Sequence, residues 1–308
     1  MIYLKMRGGR LGNQMFQYAF ARMLKEYNPR QELRVDFSAV FNNSKNGDGG
    51  YENSLVYFNT IKEVEKCNSI PKYSFVQKLI MHFYYRWMPP LEDMAARNTY
   101  QMRWCKCLNK AGLYFLDLGY YDFDRKLDDR NIVINGCFES EKYFECISDI
   151  IKREFIPKHP LLKKNEDLMK NIQNSNSVFF GVRMGDFVSL ASRTHSVCTK
   201  KYYMEAVRRI KEKIENPTFF FFSNDIEWVK ENIHIDAECY YESGNDPVWE
   251  TLRLMSSCKH FIISNSTFHW WAQYLSKNPN KIVIAPDRWY NNDFVPALYQ
   301  DNWEVVSV

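Results

Sequence analysis

A recurrence in the second half of the sequence constrains the fold most: short apolar runs, each closed by small or charged residues and followed by helical spacing. Val178–Arg183 leads into Met184-Gly185-Asp186, and residues 218–222 lead into Ser223-Asn224-Asp225. His260–Ile263 leads into Ser264-Asn265-Ser266-Thr267, and residues 281–285 run up to Pro286. Helical patterns fill the gaps: 200–214, a stretch from Ile226, one from Asp246-Pro247 to Ser257, and one through Leu275. Asp246 and Pro247 read as N-cap and N1 proline. Short apolar strands separated by helices pair in parallel, which predicts an α/β domain.

The first half carries the same signals less regularly. Residues 2–6 read as a strand, Gly8-Gly9-Arg10-Leu11-Gly12 as a turn, and Asn13 as the opening of a helix. Phe16, Ala19, Phe20, Met23, Leu24 and Tyr27 recur at its three- and four-residue spacing, and Pro29 stops it. Residues 42–50 are polar and glycine-rich, a loop; Ile132-Val133-Ile134 is a strand ending in Asn135-Gly136; 140–155 reads as a helix stopped by Pro157. The polar stretch 158–177 reads as a connection, giving domains 1–157 and 158–308, a division the 308-residue length accommodates.

Charge and composition exclude several classes. A net charge of +4 on 41 basic and 37 acidic groups is too balanced for a dedicated nucleic-acid binder. No window approaches the roughly 20 apolar residues of a membrane span. The N-terminus lacks the apolar core of a signal peptide, so a cytoplasmic location is expected. The eight cysteines form no C-x-x-C pair and read as reduced, mostly buried thiols.

In a parallel sheet, ligands bind beyond the carboxyl ends of the strands. Here those ends are Gly8–Asn13, Arg183–Asp186, Ser223–Asp225 and Ser264–Thr267. Helix N-termini and the Arg183 fork suit a phosphate-bearing ligand. Neither G-x-G-x-x-G nor G-x-x-x-x-G-K-[ST] occurs, which argues against a dinucleotide oxidoreductase or a P-loop NTPase. Each residue also has a plainer role available. Arg183 could hold a structural salt bridge, and Asp186, Asn13, Ser266 and Thr267 could be caps. Gly8, Gly9 and Gly12 could serve only to turn the backbone. Asp122-Phe123-Asp124 reads as a solvated turn, His195 as a solvated loop histidine, and Trp270 and Trp271 as packing.

The run Gly8-Gly9-Arg10-Leu11-Gly12-Asn13-Gln14-Met15-Phe16-Gln17-Tyr18 resembles the N-terminal signature of family 11 glycosyltransferases, the α-1,2-fucosyltransferases. Asn135-Gly136-Cys137-Phe138-Glu139-Ser140-Glu141-Lys142-Tyr143-Phe144 is similar to a second family block. Gly181-Val182-Arg183-Met184-Gly185-Asp186-Phe187 resembles the donor-phosphate motif H-x-R-R-G-D-Y. Phe222-Ser223-Asn224-Asp225 and Ser264-Asn265-Ser266-Thr267-Phe268-His269-Trp270-Trp271 follow in the family's order. The resemblance implies an α/β, GT-B-like fold, two Rossmann-like halves facing a cleft. It implies GDP-fucose as donor substrate, a galactose 2-hydroxyl as acceptor, inversion at the anomeric centre, and neither metal nor cofactor. Carried over residue by residue, Arg183, Asp186 and Asn13 are expected to be catalytic. Gly12, Arg183, Ser223, Asn224, Asp225, Glu250, Ser264, Asn265, Ser266, Thr267 and Phe268 are expected to bind the donor. The chain departs from the pattern at Gly181, where the family has His, and at Met184, where it has a second Arg whose charge Arg193, Lys200 or Lys201 could replace. It departs also at Thr251, where the family often has Asp and the adjacent Glu250 could substitute. The alternatives are an inverting transferase using another GDP-sugar and a non-catalytic sugar- or nucleotide-binding protein.

From Lys66 to Lys110, eight bases (Lys66, Lys72, Lys78, Arg86, Arg97, Arg103, Lys106, Lys110) face only Glu92 and Asp93. They are interleaved with Tyr73, Phe75, Phe83, Tyr84, Tyr85, Trp87 and Trp104. This segment reads as a solvated irregular subdomain or as a peripheral contact with the inner membrane face that meets a lipid-linked acceptor. Nucleic-acid binding ranks last.

Overall fold

A computed structural model describes residues 1–45, 51–127, 130–183 and 197–308. The sequence features at Met184, Asp186, Arg193 and His195 lie outside the described residues. The chain divides into two compact units, 1–156 with 296–298 and 157–295 with 299–308.

Unit 1 is built on β1 (Ile2–Lys5), β2 (Leu33–Asp36), β3 (Leu113–Leu116) and β4 (Ile132–Gly136), all parallel in the order β2-β1-β4-β3. Its helices are α1 (Leu11–Tyr27), α2 (Ser38–Lys45), α3 (Phe75–Arg86), α4 (Met94–Lys110) and α5 (Ser148–Glu154). α1 buries Met15, Phe16, Ala19, Phe20, Met23 and Leu24, the positions its periodicity marks. Phe20 stacks on Phe138 at 4.0 Å and meets Tyr143 edge-on at 4.9 Å, tying α1 to the loop after β4. Arg22 and the Tyr18 hydroxyl both bond Glu154, which fastens α1 to α5.

Unit 2 is a six-stranded parallel sheet in the order β10-β9-β8-β5-β6-β7. Its strands are β5 (Asn176–Val182), β6 (Pro217–Ser223), β7 (Cys239–Tyr241), β8 (His260–Ile262), β9 (Val283–Pro286) and β10 (Glu304–Val306). Its helices are α6 (Glu166–Asn174), α7 (Lys200–Lys213), α8 (Ile226–Asn232), α9 (Val248–Ser257) and α10 (Thr267–Leu275). Successive side chains of a strand point to opposite faces, and here both faces are covered. Val178, Phe180 and Val182 pack with Tyr202, Tyr203, Ala206 and Ile210 of α7, while Phe179 turns to Phe222, Phe261 and His269. The apolar runs that define this half are therefore buried on both sides. Both units are α/β with parallel sheets, the GT-B-like class.

Several expectations are corrected. α1 opens at Leu11, not Asn13, with extended Arg10 as N-cap. Residues 42–45 continue α2, because buried Val40 anchors it to the core. The stretch 140–155 is two 3₁₀ turns, Glu141–Tyr143 and Glu145–Ile147, before α5. Ser140 and Phe144 depart from helical backbone, and Tyr143 and Phe144 are thereby buried. Asp246 does not cap α9: Pro247 holds that position, and Asp246 pairs with Lys164 at 2.6 Å. Only Cys105 and Cys258 are buried; Cys67, Cys107 and Cys146 are exposed. In Asp122-Phe123-Asp124 both carboxylates are exposed, as expected of a solvated turn, but Phe123 is buried and Asp124 accepts from Asn109 at 2.7 Å.

Candidate active site

Strand order fixes where each unit can bind a ligand. In unit 2 the chain runs from β5 outward to β6 and β7, then returns to the other side of β5 with β8. The order reverses between β5 and β8, and crevices at such switch points hold ligands. Arg183 follows β5 there, and Ser264 and Asn265 follow β8. Ser266 is the N-cap of α10 without a side-chain capping bond, and Thr267 and Phe268 are half-buried in its first turn. Buried Asn265 donates to the Trp289 carbonyl at 2.9 Å, which holds the loop after β8 against the chain beyond β9.

The departure at Gly181 has a structural counterpart. A Cβ on Gly181 would lie 2.5 Å from His269 Nδ1 and 2.6 Å from Cε1, so the buried His269 ring occupies the space beside β5. His269 Nδ1 accepts from the Ser264 N–H at 3.4 Å and stands 2.8 Å from the Ser264 hydroxyl. Burial, with the Arg183 charge adding to it, pushes the imidazole down to about 3. A neutral ring in that place leaves the cationic character at the strand end to Arg183.

After β6, the Ser223 hydroxyl accepts from the Asp225 N–H at 3.0 Å, and Asp225 caps α8 by accepting from Trp228 at 3.0 Å. Asn224 between them is exposed. Ser223 and Asp225 thus shape the turn that presents Asn224. The Glu250 side chain is fully buried, accepts from Leu162 N–H at 2.9 Å and Asn165 at 3.1 Å, and pairs with Arg253 at 2.7 Å. These bonds tie α9 to the segment before α6, a structural task for the residue.

Unit 1 repeats the arrangement. β1 leads out to β2, and β4 returns on the other side of β1, so the reversal lies between β1 and β4. Asn13, in the first turn of α1, donates from Nδ2 to Glu139 Oε1 at 3.0 Å, bridging the chain that follows these two strands. Phe138 has φ of 52°, the left-handed region that a bulky residue adopts only when its surroundings enforce it. Its stack on Phe20 does so, and Glu139 follows directly. Burial raises the Glu139 carboxyl to about 7, although the Arg7 charge and the Asn13 bond pull the other way. Such a value suits a group that takes up a proton near neutral pH.

Gln14 and Gln17 explain why the signature needs its amides. Arg7 N–H donates to Gln17 Oε1 at 2.7 Å, and Gln17 Nε2 donates to the Asn13 carbonyl at 3.1 Å. Gln14 Nε2 donates to the Gly9 carbonyl at 3.0 Å and to the Glu52 carbonyl at 2.8 Å. Gly9 is required by proximity, because its Cβ would lie 2.5 Å from Asn13 Cβ. Gly12 lies buried within α1, so it makes no turn.

Beyond β3, Asp117 gathers Arg7, Arg97 at 2.7 Å and Gln101 at 3.0 Å. Arg7, Arg97 and Asp117 line, with Tyr84, Tyr85 and Asn135, a cavity of about 250 Å³. Sequence reasoning missed Glu139, Arg7, Arg97 and Asp117 as site residues. For Glu139 the signal was its place in the second family block, immediately after a strand end. For the Asp117 group the contacts span long sequence separations and no motif carries them.

A family model described as glycosyl transferase family 11 matches residues 119–307. The chain is 27% identical over 304 residues to an alpha-1,2-colitosyltransferase of Escherichia coli, covering 95% of this chain and 93% of that one. It is 28% identical to the O-antigen biosynthesis glycosyltransferase WbnK of Escherichia coli, covering 98% and 99%. It is 26% identical over 194 residues to galactoside alpha-(1,2)-fucosyltransferase 1 of Saimiri boliviensis boliviensis, covering 58% and 53%. Among solved structures it shares the fold of NodZ alpha-1,6-fucosyltransferase, with a TM-score of 0.53 at 14% identity, over 92% of this chain and 94% of that one.

Proposed function

The chain belongs to glycosyl transferase family 11 and is a glycosyltransferase; from that premise we propose that it transfers L-fucose from GDP-fucose, with inversion, to the 2-hydroxyl of a galactoside in a glycan. One repeated observation carries the reading: in each unit the motif residues stand where the strand order reverses, Asn13 and Glu139 between β1 and β4, Arg183 and Ser264 between β5 and β8. Relatives described as α-1,2-transferases of fucose and colitose support the linkage.

In the proposed reaction the galactose O2 bonds to C1 of fucose as the bond from C1 to the β-phosphate oxygen breaks. The electron pair leaves on the diphosphate, where Arg183 meets the growing charge. The transition state is oxocarbenium-like, so the acceptor need not be fully deprotonated at the outset. Its proton needs a base, and in unit 1 Glu139, raised to about 7 and bonded by Asn13, has the chemistry of one. No metal enters this scheme, and turnover is expected to persist in EDTA. GDP-colitose is a second donor reading, favoured by similarity to the colitosyltransferase along nearly the whole chain. Colitose is fucose without its 3-hydroxyl, so a site that bonds that hydroxyl would reject it strongly.

Incubation with each donor and a panel of β-galactosides, followed by product analysis, tests the reading. Fucosylated galactoside is the expected product. Transfer of colitose alone would replace the donor, and products on sugars other than galactose would replace the acceptor.

A further inference from the structure

α3 is apolar on two opposite sides. Ile80, Met81 and Tyr84 pack inward with Leu108, Leu113 and Phe115, joined by Tyr73, Met88, Tyr100 and Trp104. Gln77 on the same side donates to the Ala111 carbonyl at 3.0 Å. Phe75, Val76, Leu79 and Phe83 fall on the other side at helical spacing and are 81%, 61%, 48% and 38% exposed. Trp87, 59% exposed, stacks on Phe83 at 5.5 Å. A helix in a soluble domain buries one stripe and turns polar residues outward. Here the outward stripe is made of rings and branched chains, which marks an interaction surface.

Charge identifies the partner. From Lys66 to Leu91 there is no Asp or Glu, while Lys72, Lys78 and Arg86 are exposed around the apolar stripe. A protein partner of ordinary composition gives no reason for a carboxylate-free border. An anionic lipid surface does, because it attracts bases and takes up rings at the headgroup boundary. We propose that the outer face of α3 docks this enzyme on an anionic bilayer, with Phe75, Val76, Leu79, Phe83 and Trp87 entering the interface and Lys72, Lys78 and Arg86 meeting lipid headgroups.

The packing divides the aromatic segment differently from the sequence reading. Tyr84 is buried, Tyr73 and Trp104 pack half-buried against the same cluster, and Arg97 is paired with Asp117, so the docking face is narrower than 66–110. Met81, His82, Tyr85 and Arg86 of α3 line a cavity of about 560 Å³ with Lys5 and Asn135, beside the ends of β1 and β4. Resting on the reading under Proposed function, docking would hold that cavity beside the bilayer, where the sugar of a lipid-linked acceptor lies.

The test is sedimentation of the full chain with vesicles of phosphatidylglycerol and phosphatidylcholine, or phosphatidylcholine alone, at 0.1 M and 1 M salt. Two double variants are compared, Phe75→Asp with Leu79→Asp and Lys72→Glu with Lys78→Glu. These side chains touch neither cavity, so turnover on a soluble galactoside and the melting temperature should match the parent. Binding to anionic vesicles at 0.1 M salt, reduced more than ten-fold at 1 M and in each variant, is expected. Negligible binding of the parent to both vesicles overturns the proposal, as does binding that survives both variants. Self-association lost in Phe75→Asp with Leu79→Asp, without vesicle binding, would give the face to a second copy instead. The vesicle result does not depend on which donor or acceptor the enzyme uses.

Discussion

At Glu139 a carboxyl held up to about 7 ties activity and stability to pH with opposite signs. In its proposed role of proton acceptor it must be ionised, so kcat/KM should rise through about pH 7. Glu139→Gln keeps an Oε1 for Asn13 but cannot take a proton, and should lose both rate and this limb of the profile. Stability runs the other way. The folded group binds its proton more tightly than the unfolded one, so stability falls as pH rises from the ordinary Glu range through about 7. Thermal melts at pH 8 should therefore show Glu139→Gln at least as stable as the parent. A retained pH limb in the variant would remove the proton from this residue. In the proposed role of Arg183, Arg183→Ala should lower kcat by ~10²–10³, the cost of losing one donor to developing negative charge, with Arg183→Lys recovering little. Gly181→Ala would press its Cβ on His269 and Phe179 and should cost ~1–3 kcal/mol in denaturant melts, with partial relief when His269→Ser is added. The motif residues at strand ends were legible because strand-then-helix punctuation is local. The roles of Glu250 and His269 were not, since each is settled by a partner more than five residues away or by the space beside another strand.

At the scale of elements, the loop after β1 depends on α1. Gln17→Leu removes the acceptor of the Arg7 N–H and should cost ~1–3 kcal/mol, read as a lower denaturation midpoint together with weaker acceptor use. A variant with an unchanged midpoint would mean the loop holds itself. Helices with clean three- and four-residue spacing, α1 and α7, were readable to within about two residues. The stretch after β4 was not, because apolar residues at helical spacing there serve two 3₁₀ turns that bring Tyr143 and Phe144 onto α1. β2 and β3 escaped reading because each is four residues long, one with a polar alternation and one set in a basic aromatic region. Sheet pairing, absent from any local window, makes them strands.

For the whole molecule, the two units use one topological device, a parallel sheet whose order reverses beside its first strand, and the family motifs fall at both reversals. That correspondence was only half available beforehand, since strand ends can be read from sequence but strand order cannot. Among the described residues no helix is long and apolar enough to cross a membrane. EDTA should leave the rate within about two-fold of untreated enzyme; loss restored by Mn²⁺ or Mg²⁺ would require a different leaving-group stabiliser from Arg183. The most direct test of the proposed chemistry is the structure of the product. The purified chain is incubated with GDP-β-L-fucose and lactose, and the trisaccharide is analysed by NMR beside an Arg183→Ala control. The expected product carries fucose as the α-anomer on the galactose O2 and is nearly absent from the control. A β-fucoside, attachment at another oxygen, or GDP binding with no saccharide product would contradict it.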